Sequence, residues 1–313
     1  MKRKVVKHGP STLIVSLPLR WVKKYNINKG DELEVEEEGS RLIVSTGKGK
    51  KLGAVEADLS KLDRTSIMYL IRSLYKLGYD EIKLNFNKQS TFHYRLEKDR
   101  TIISVIHEEV NRLTGVEVIQ QKENFCVIKA LSDMNFEEFN PVLRRIFLQI
   151  IDMSNDMING AQKQDLMLLK TLEEKHNTIT KFLSFCMRLL NQKEYPDHKK
   201  TLIMYNTISM LDKLLDILKN SGRNLINLKP RITPKTKELM GKIHEAIVTY
   251  YHLFYKFNNR EVMKIAELRD NILKDIQSCF NELSKKELLI INNLAPVLEL
   301  VLAMTETRMA LEY

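Results

Sequence analysis

Lys2, Arg3, Lys4 and Lys7, followed by Arg20, Lys23 and Lys24, are the residues of this 313-residue chain whose types and spacing most plainly suggest a chemistry, that of holding a polyanion. Through residue 30 the chain carries eight lysines or arginines and no acid, and six acids then crowd between Asp31 and Glu38. A phosphate-facing surface backed by a solvated one has this polarity. Lys4 and Lys7 on a first strand can share a face with Arg20, Lys23 and Lys24 on a helical turn, and Lys2, Arg3 and Lys4 read as an arm. Long flexible cations suit phosphates, and arginine also reads guanine edges.

Farther along, Glu173 and Asn177 stand one helical turn apart, and Glu267 and Asn271 repeat the spacing 94 residues later. Asp212, Asp216 and Asn220 extend it over two turns, which puts three oxygen-bearing side chains on one stripe. The histidines suggest little. His8 lies in the basic arm, His107-Glu108-Glu109 lacks the second histidine of a zinc hydrolase helix, and His176 beside Lys175 reads as a solvated-face residue. With no Gly-x-Ser-x-Gly and no Cys/His pairing at a recognisable spacing, the chain offers no nucleophile or general base, and an enzyme is not expected.

Composition narrows the class. Hydrophobic residues make up 43% and charged residues 29%, as in soluble globular proteins. The length predicts two or three domains. No apolar run approaches the roughly 20 residues of a membrane span, and no apolar stretch follows the charged N-terminus as in a signal peptide, so the expected location is the cytoplasm without membrane insertion. Cys126, Cys186 and Cys279 are odd in number and far apart, which fits reduced, partly buried thiols. The 13 methionines fall mostly on apolar helical faces, as core filler. Of the net charge of +10, half comes from residues 1–50, with eleven basic against six acidic residues. Nucleic acid is therefore the partner expected of the N-terminus specifically, and double-stranded DNA is the form that the resemblance given below implies.

The elements that must position these residues follow from periodicity. Residues 1–46 read as strand, strand, helical turn, strand, strand, with Pro18 opening the turn and Gly39-Ser40 as a hairpin signal. So small a unit buries too little to stand alone, and something must cover Leu13, Val15, Leu17, Trp21, Val35 and Ile43. A second copy is the economical cover, which predicts a homodimer or a higher even oligomer. The run Gly9-x-Ser11-x-Leu13-Ile14-Val15-x-Leu17-Pro18, then Trp21-Val22-x-x-Tyr25-x-Ile27, Lys29-Gly30-Asp31-x-Leu33-x-Val35 and Gly39-Ser40-x-Leu42-Ile43-Val44, resembles the AbrB/SpoVT family of swapped-hairpin DNA-binding domains. That resemblance implies an interleaved dimer.

Residues 46–53 form a linker. They lack the Ser or Thr after Gly-Lys and the first glycine of a phosphate-binding loop. Residues 54–131 alternate as βαβ then αββ, a small α/β sandwich with a helix capped near Asp63 and ended by Gly78, and a polar loop before a helix over 101–113. This layer reads as a spacer or dimerisation module. The remainder is helical, with helices near 140–157, 165–190 and 199–220, the last ended by Gly222, and after a proline-containing boundary near 235–257, 260–283 and 286–312. A break falls at Tyr195-Pro196. The fold class is thus multidomain α+β, with two three-helix bundles at 136–222 and 235–313.

Two such bundles, with acidic-x3-Asn in each second helix and Asp-Lys-x-x-Asp-x3-Asn in the third, resemble the PhoU family of phosphate-uptake regulators over residues 136–313. The resemblance implies a divalent or trivalent metal ion held by Glu173, Asp212, Asp216 and Glu267, since hard cations need several anionic oxygens from facing helices. The second carboxylate of both pairs is asparagine here, and Ala303 stands where Glu299 would have an acidic partner. The expected function is a DNA-binding transcriptional regulator of phosphate uptake with a helical sensory half. The alternative is an adaptor that docks on a phosphate transporter or signalling protein, its N-terminal domain serving dimerisation.

Overall fold

Short runs of alternating apolar residues around glycine turns give the N-terminus two hairpins. In the computed structural model of the protein, which describes residues 1–46, 52–132, 135–193 and 197–313, strand β1 (Val5–His8) pairs antiparallel with β2 (Thr12–Val15). Val5 stands opposite Val15 and Lys7 opposite Leu13. The turn between them runs through Gly9 at φ 72°, a left-handed conformation that a Cβ would strain. Pro18 precedes α1 (Leu19–Lys24), and β3 (Glu34–Glu38) pairs with β4 (Arg41–Ser45) around Gly39 and Ser40. The two hairpins are separate sheets.

Cross-strand partners share a face, so Val5, Leu13 and Val15 lie on one side of the first hairpin and Val6 and Ile14 on the other. All five are exposed, Leu13 to 69%, and α1 buries nothing. A lone two-stranded hairpin is marginal in water, and this one is apolar on both sides.

The chain divides into compact units at 1–50 and 51–313, so the regions read from sequence as an α/β layer and two bundles share the second unit. Its α/β part has strands β5 (Ala54–Asp58), β6 (Glu81–Asn85), β9 (Val116–Gln121) and β10 (Phe125–Ala130) in the order β5-β6-β10-β9. β5 and β6 are parallel and the other pairs antiparallel. Helix α2 (Arg64–Leu77) starts where Asp63 accepts the N–H groups of Thr65 and Ser66, and ends at Gly78 with φ 103°. Helix α3 is Ile102–Val110. Where the sequence reads as a polar loop, β7 (Ser90–His93) and β8 (Lys98–Thr101) form a further hairpin. Its inward residues are Thr91 and His93, buried polar groups that leave no apolar alternation to detect; Thr91 donates its hydroxyl to the Leu62 carbonyl at 2.9 Å.

The helical part comprises α4 (Phe139–Lys163), α5 (Leu166–Lys193), α6 (His198–Leu228), α7 (Pro234–Tyr255), α8 (Asn259–Ser278), α9 (Lys285–Leu294) and α10 (Pro296–Glu312). One hydrophobic core runs through both triplets. Gly222 does not end α6, which continues to Leu228; a Cβ there would meet Leu172 Cδ1 of α5 at 2.8 Å, and one at Gly160 of α4 would meet Leu169 at 2.9 Å. The glycines serve close helix approach instead of capping. The last helix is two, because Pro296 has no N–H to continue the ladder. Residues 285–312 are, against the sequence reading, long and apolar enough to cross a membrane by length and composition. Ile290, Ile291, Leu294, Val297, Leu298, Val301 and Met304 are however spent on the core. All three cysteines are buried, and burial pushes the thiols of Cys126 and Cys186 up to about 11 and about 12. The linker at 47–51 and the break at Tyr195-Pro196 lie outside the described residues.

Two polar devices tie the second unit together. The carbonyls at the C-terminal end of α2 have no partner within the helix, and three side chains of α5 reach them. Arg188, 1% exposed, donates to the carbonyls of Tyr75 at 2.8 Å and Tyr79 at 2.9 Å, pairs with Asp80 at 3.5 Å and lies 4.9 Å from the Tyr75 ring centroid. Asn191 donates to the Lys76 carbonyl and Gln192 to that of Gly78.

The second is Glu287, 2% exposed at the start of α9. Its carboxylate accepts the Thr233 N–H at 2.9 Å, the Thr236 hydroxyl at 2.8 Å and both the N–H and the hydroxyl of its own cap, Ser284. Burial pushes its pKa up, but the bonds from Thr233, Thr236 and Ser284 outweigh that and hold it at about 2. A depressed carboxylate contributes stability that is fully present above the ordinary glutamate value and lost as pH falls through the folded one, here between pH 4.5 and 2. Glu287→Gln is therefore expected to cost about 3 kcal/mol at neutral pH and to flatten acid unfolding over that window, as followed by circular dichroism. An unchanged acid transition would refute the assignment.

Candidate nucleic-acid interface

Lys2, Arg3 and Lys4 precede β1, Lys7 lies within it, and Arg20, Lys23 and Lys24 occupy α1, which has no acid in its first turn. All seven are exposed. None pairs with a described carboxylate; Lys24 alone has a ring neighbour, its ammonium 5.3 Å from the Tyr25 centroid. Lys23 and Lys24 fall in the last turn of α1, where cations complement the helix dipole. The register gives Lys7 the same face as Val5, Leu13 and Val15, so a cover on that face borders Lys7 directly. Like-charged side chains left unpaired on so small a unit repel one another, and a polyanion relieves that repulsion by exchanging its condensed counterions for them.

The carboxylates read as metal ligands do not converge. Asp212 of α6 faces Lys76 of α2 at 3.5 Å. Asp216 accepts from His176 at 3.1 Å and from Lys219, and Glu173 takes Arg223 in a two-pronged pair with Nε at 2.8 Å. Glu267 is exposed on α8. Burial pushes Asp216 up, yet the His176 and Lys219 hydrogen bonds hold it well below the usual carboxylate range; burial likewise opposes, and Arg223 outweighs, for Glu173. Among the described residues no three His, Cys, Asp or Glu side chains gather as a metal set. The donor set does not fit a hard cation, because Lys219, Arg223 and Lys76 already supply its positive charge. The second triplet follows suit, with Glu299 taken by Arg269 at 2.7 Å. His176 is also not on a solvated face: it is 5% exposed and oriented by Asp216.

Two groupings escape sequence reading because their members are far apart in the chain. Arg64 and Arg100 meet on Glu108, and Arg72 and Arg112 on the fully buried Glu109, an ion-pair belt between α2, α3 and β8. Ser154 of α4 contacts His244 Nδ1 of α7. Its hydroxyl lies 3.1 Å from the Ile151 carbonyl, and donating there makes it the acceptor of the ring N–H, so the histidine does not draw the serine proton as a base would.

Comparison with known proteins separates the same two parts. Residues 6–51 match the family model described as antidote-toxin recognition MazE, bacterial antitoxin. No curated protein matches the sequence as a whole. Among solved structures, PhoU from Pseudomonas aeruginosa superposes with a TM-score of 0.50 at 14% identity, covering 56% of this chain and 96% of that one. The phosphate transport system regulatory protein PhoU from Streptococcus pneumoniae gives 0.46 at 13% identity, covering 56% and 94%. The chain thus joins an N-terminal MazE/AbrB-like domain to a body with the fold of PhoU.

Proposed function

We propose that the protein is a cytoplasmic DNA-binding regulator of phosphate uptake, in which a pair of N-terminal units grips an operator and the helical body senses or relays the signal. The observation that carries this reading is the set of seven exposed cations without a carboxylate partner among the described residues, on a unit whose apolar strand residues are exposed in the single chain. The fold shared with PhoU supports the phosphate connection. A signal-dependent change in the helical body would act through the spacing or orientation of the paired N-terminal units, and so on DNA affinity.

Fluorescence anisotropy with duplex DNA from the gene's own upstream region, titrated with salt, tests the contact surface. Arg20→Ala/Lys23→Ala/Lys24→Ala is expected to weaken binding and to reduce the slope of log affinity against log salt. Up to six phosphate contacts vanish from a dimer, so the drop is at most about 5. An unchanged slope would show that these cations do not face the backbone. The family description, with its mention of toxin recognition, favours one other reading: a protein-docking module on a PhoU-like adaptor. Capture of a transporter or signalling protein without enrichment of DNA would decide for it.

A further inference from the structure

The helical body contains a cavity of about 480 Å³ lined by Arg144 of α4, by Tyr251, His252, Tyr255 and Lys256 at the end of α7, and by Asn258 and Glu261 where α8 begins. Its volume lies within the range of small-molecule and cofactor sites. Its walls carry three different chemistries. Tyr251 and Tyr255 stand edge to face with centroids 5.2 Å apart, backed by Phe147 at 5.9 and 5.8 Å from the two rings, so a rigid aromatic wall is held from behind. The Arg144 guanidinium lies 5.5 Å from the Tyr255 centroid, and neither Arg144 nor Lys256 pairs with a carboxylate among the described residues. This sets them apart from Lys175, Lys219, Arg223, Lys242 and Arg269 of the same body, each of which has an acid. Glu261 supplies one acceptor-only group on the same wall and likewise has no cation among the described residues.

We infer that this cavity binds a nucleoside phosphate, its base stacked on the Tyr251/Tyr255 wall, its phosphate held by Arg144 and Lys256, and its ribose hydroxyls donating to Glu261. A planar guanidinium presents paired donors that match phosphate oxygens, and an aromatic wall takes any base through its π face. Inorganic phosphate alone would leave the wall and Glu261 unused. An uncharged nucleoside would leave two cations facing solvent. Only a ligand with ring, hydroxyls and anion uses all three, and it would give the helical body an effector of its own. The site lies wholly within residues 52–313 and its test uses no DNA, so its failure and that of the DNA-binding reading are distinguishable.

Isothermal titration of the full chain with AMP, ATP, adenosine and inorganic phosphate decides the matter. At least one nucleotide is expected to bind, and adenosine and phosphate are each expected to bind at least about tenfold more weakly. Tyr251→Ala and Arg144→Ala should each weaken the nucleotide about tenfold or more, by loss of stacking and of the phosphate contact respectively. Because Tyr251 is half-buried, Lys256→Ala at an exposed position is the variant that cannot fail through misfolding, and a several-fold loss is expected there too. No heat with either nucleotide up to about 1 mM, affinity for phosphate equal to that for AMP, or binding indifferent to both Arg144→Ala and Lys256→Ala would each overturn the proposal.

Discussion

A chain carrying Leu13→Asp and Val15→Asp is expected to keep residues 52–313 folded while losing DNA affinity by about a hundredfold or more. In a lone protomer these positions are 69% and 53% exposed, so two aspartates there would cost next to nothing. Covered by a second copy, each would place a carboxylate in an apolar contact, at several kcal/mol apiece, and two-fold pairing would double the number. The substitutions therefore ask whether the N-terminal unit works paired. Size-exclusion chromatography with light scattering, helical circular dichroism and anisotropy with duplex DNA would be read together. Wild-type affinity in a variant with unchanged scattering mass would end the paired-unit account. Lost affinity with intact helical signal would support it. Added negative charge also repels DNA at a distance, so Leu13→Asn/Val15→Asn, which keeps net charge, should show most of the same loss.

Arg188→Ala is the second large effect, expected to destabilise the chain by about 3–5 kcal/mol, the range for breaking a buried charge and its partners. Arg188 is almost wholly buried, and its removal leaves the Tyr75 carbonyl with the Gly78 N–H alone, takes the side-chain donor from the Tyr79 carbonyl, empties the face of the Tyr75 ring and leaves Asp80 without its cation. Lysine should recover little, because a single ammonium cannot reach two carbonyls and a carboxylate while stacking on a ring. Asn191→Ala, which removes one bond to the Lys76 carbonyl, should cost only about 1 kcal/mol. Urea midpoints measure all three, and a loss below about 1 kcal/mol for Arg188→Ala would show that the α2 carbonyls find other donors.

Both effects sit at places the sequence announces unevenly. The hairpins around Gly9 and Gly39 and the helix between Asp63 and Gly78 are legible because local chemistry decides them: period-2 apolar runs, a capping carboxylate, a left-handed glycine. The basic set is legible for the same reason, being an unbroken local excess of one charge. The β7–β8 hairpin is not, since Thr91 and His93 take the inward positions that apolar residues usually hold. Gly222 misleads because a glycine late in a helix signals an end, whereas tertiary packing against Leu172 is what requires it. The acid-rich stripes of α5 and α6 suggest metal ligands because spacing shows the carboxylates but not Lys219 and Arg223 folding back onto them. Arg188 is invisible in the same way: its acceptors lie 113 and 109 residues away.

The tight crossings of α5 limit how any message can travel through the helical body. Leu169 sits against Gly160 and Leu172 against Gly222, two places where even a methyl group would collide. Moving α5 along its axis by one turn, about 5.4 Å, would carry both leucines off these notches and press them into neighbouring side chains. Piston and ratchet motions of α5 are thereby made costly. Rocking about the notches, which keeps each leucine in its place, costs less.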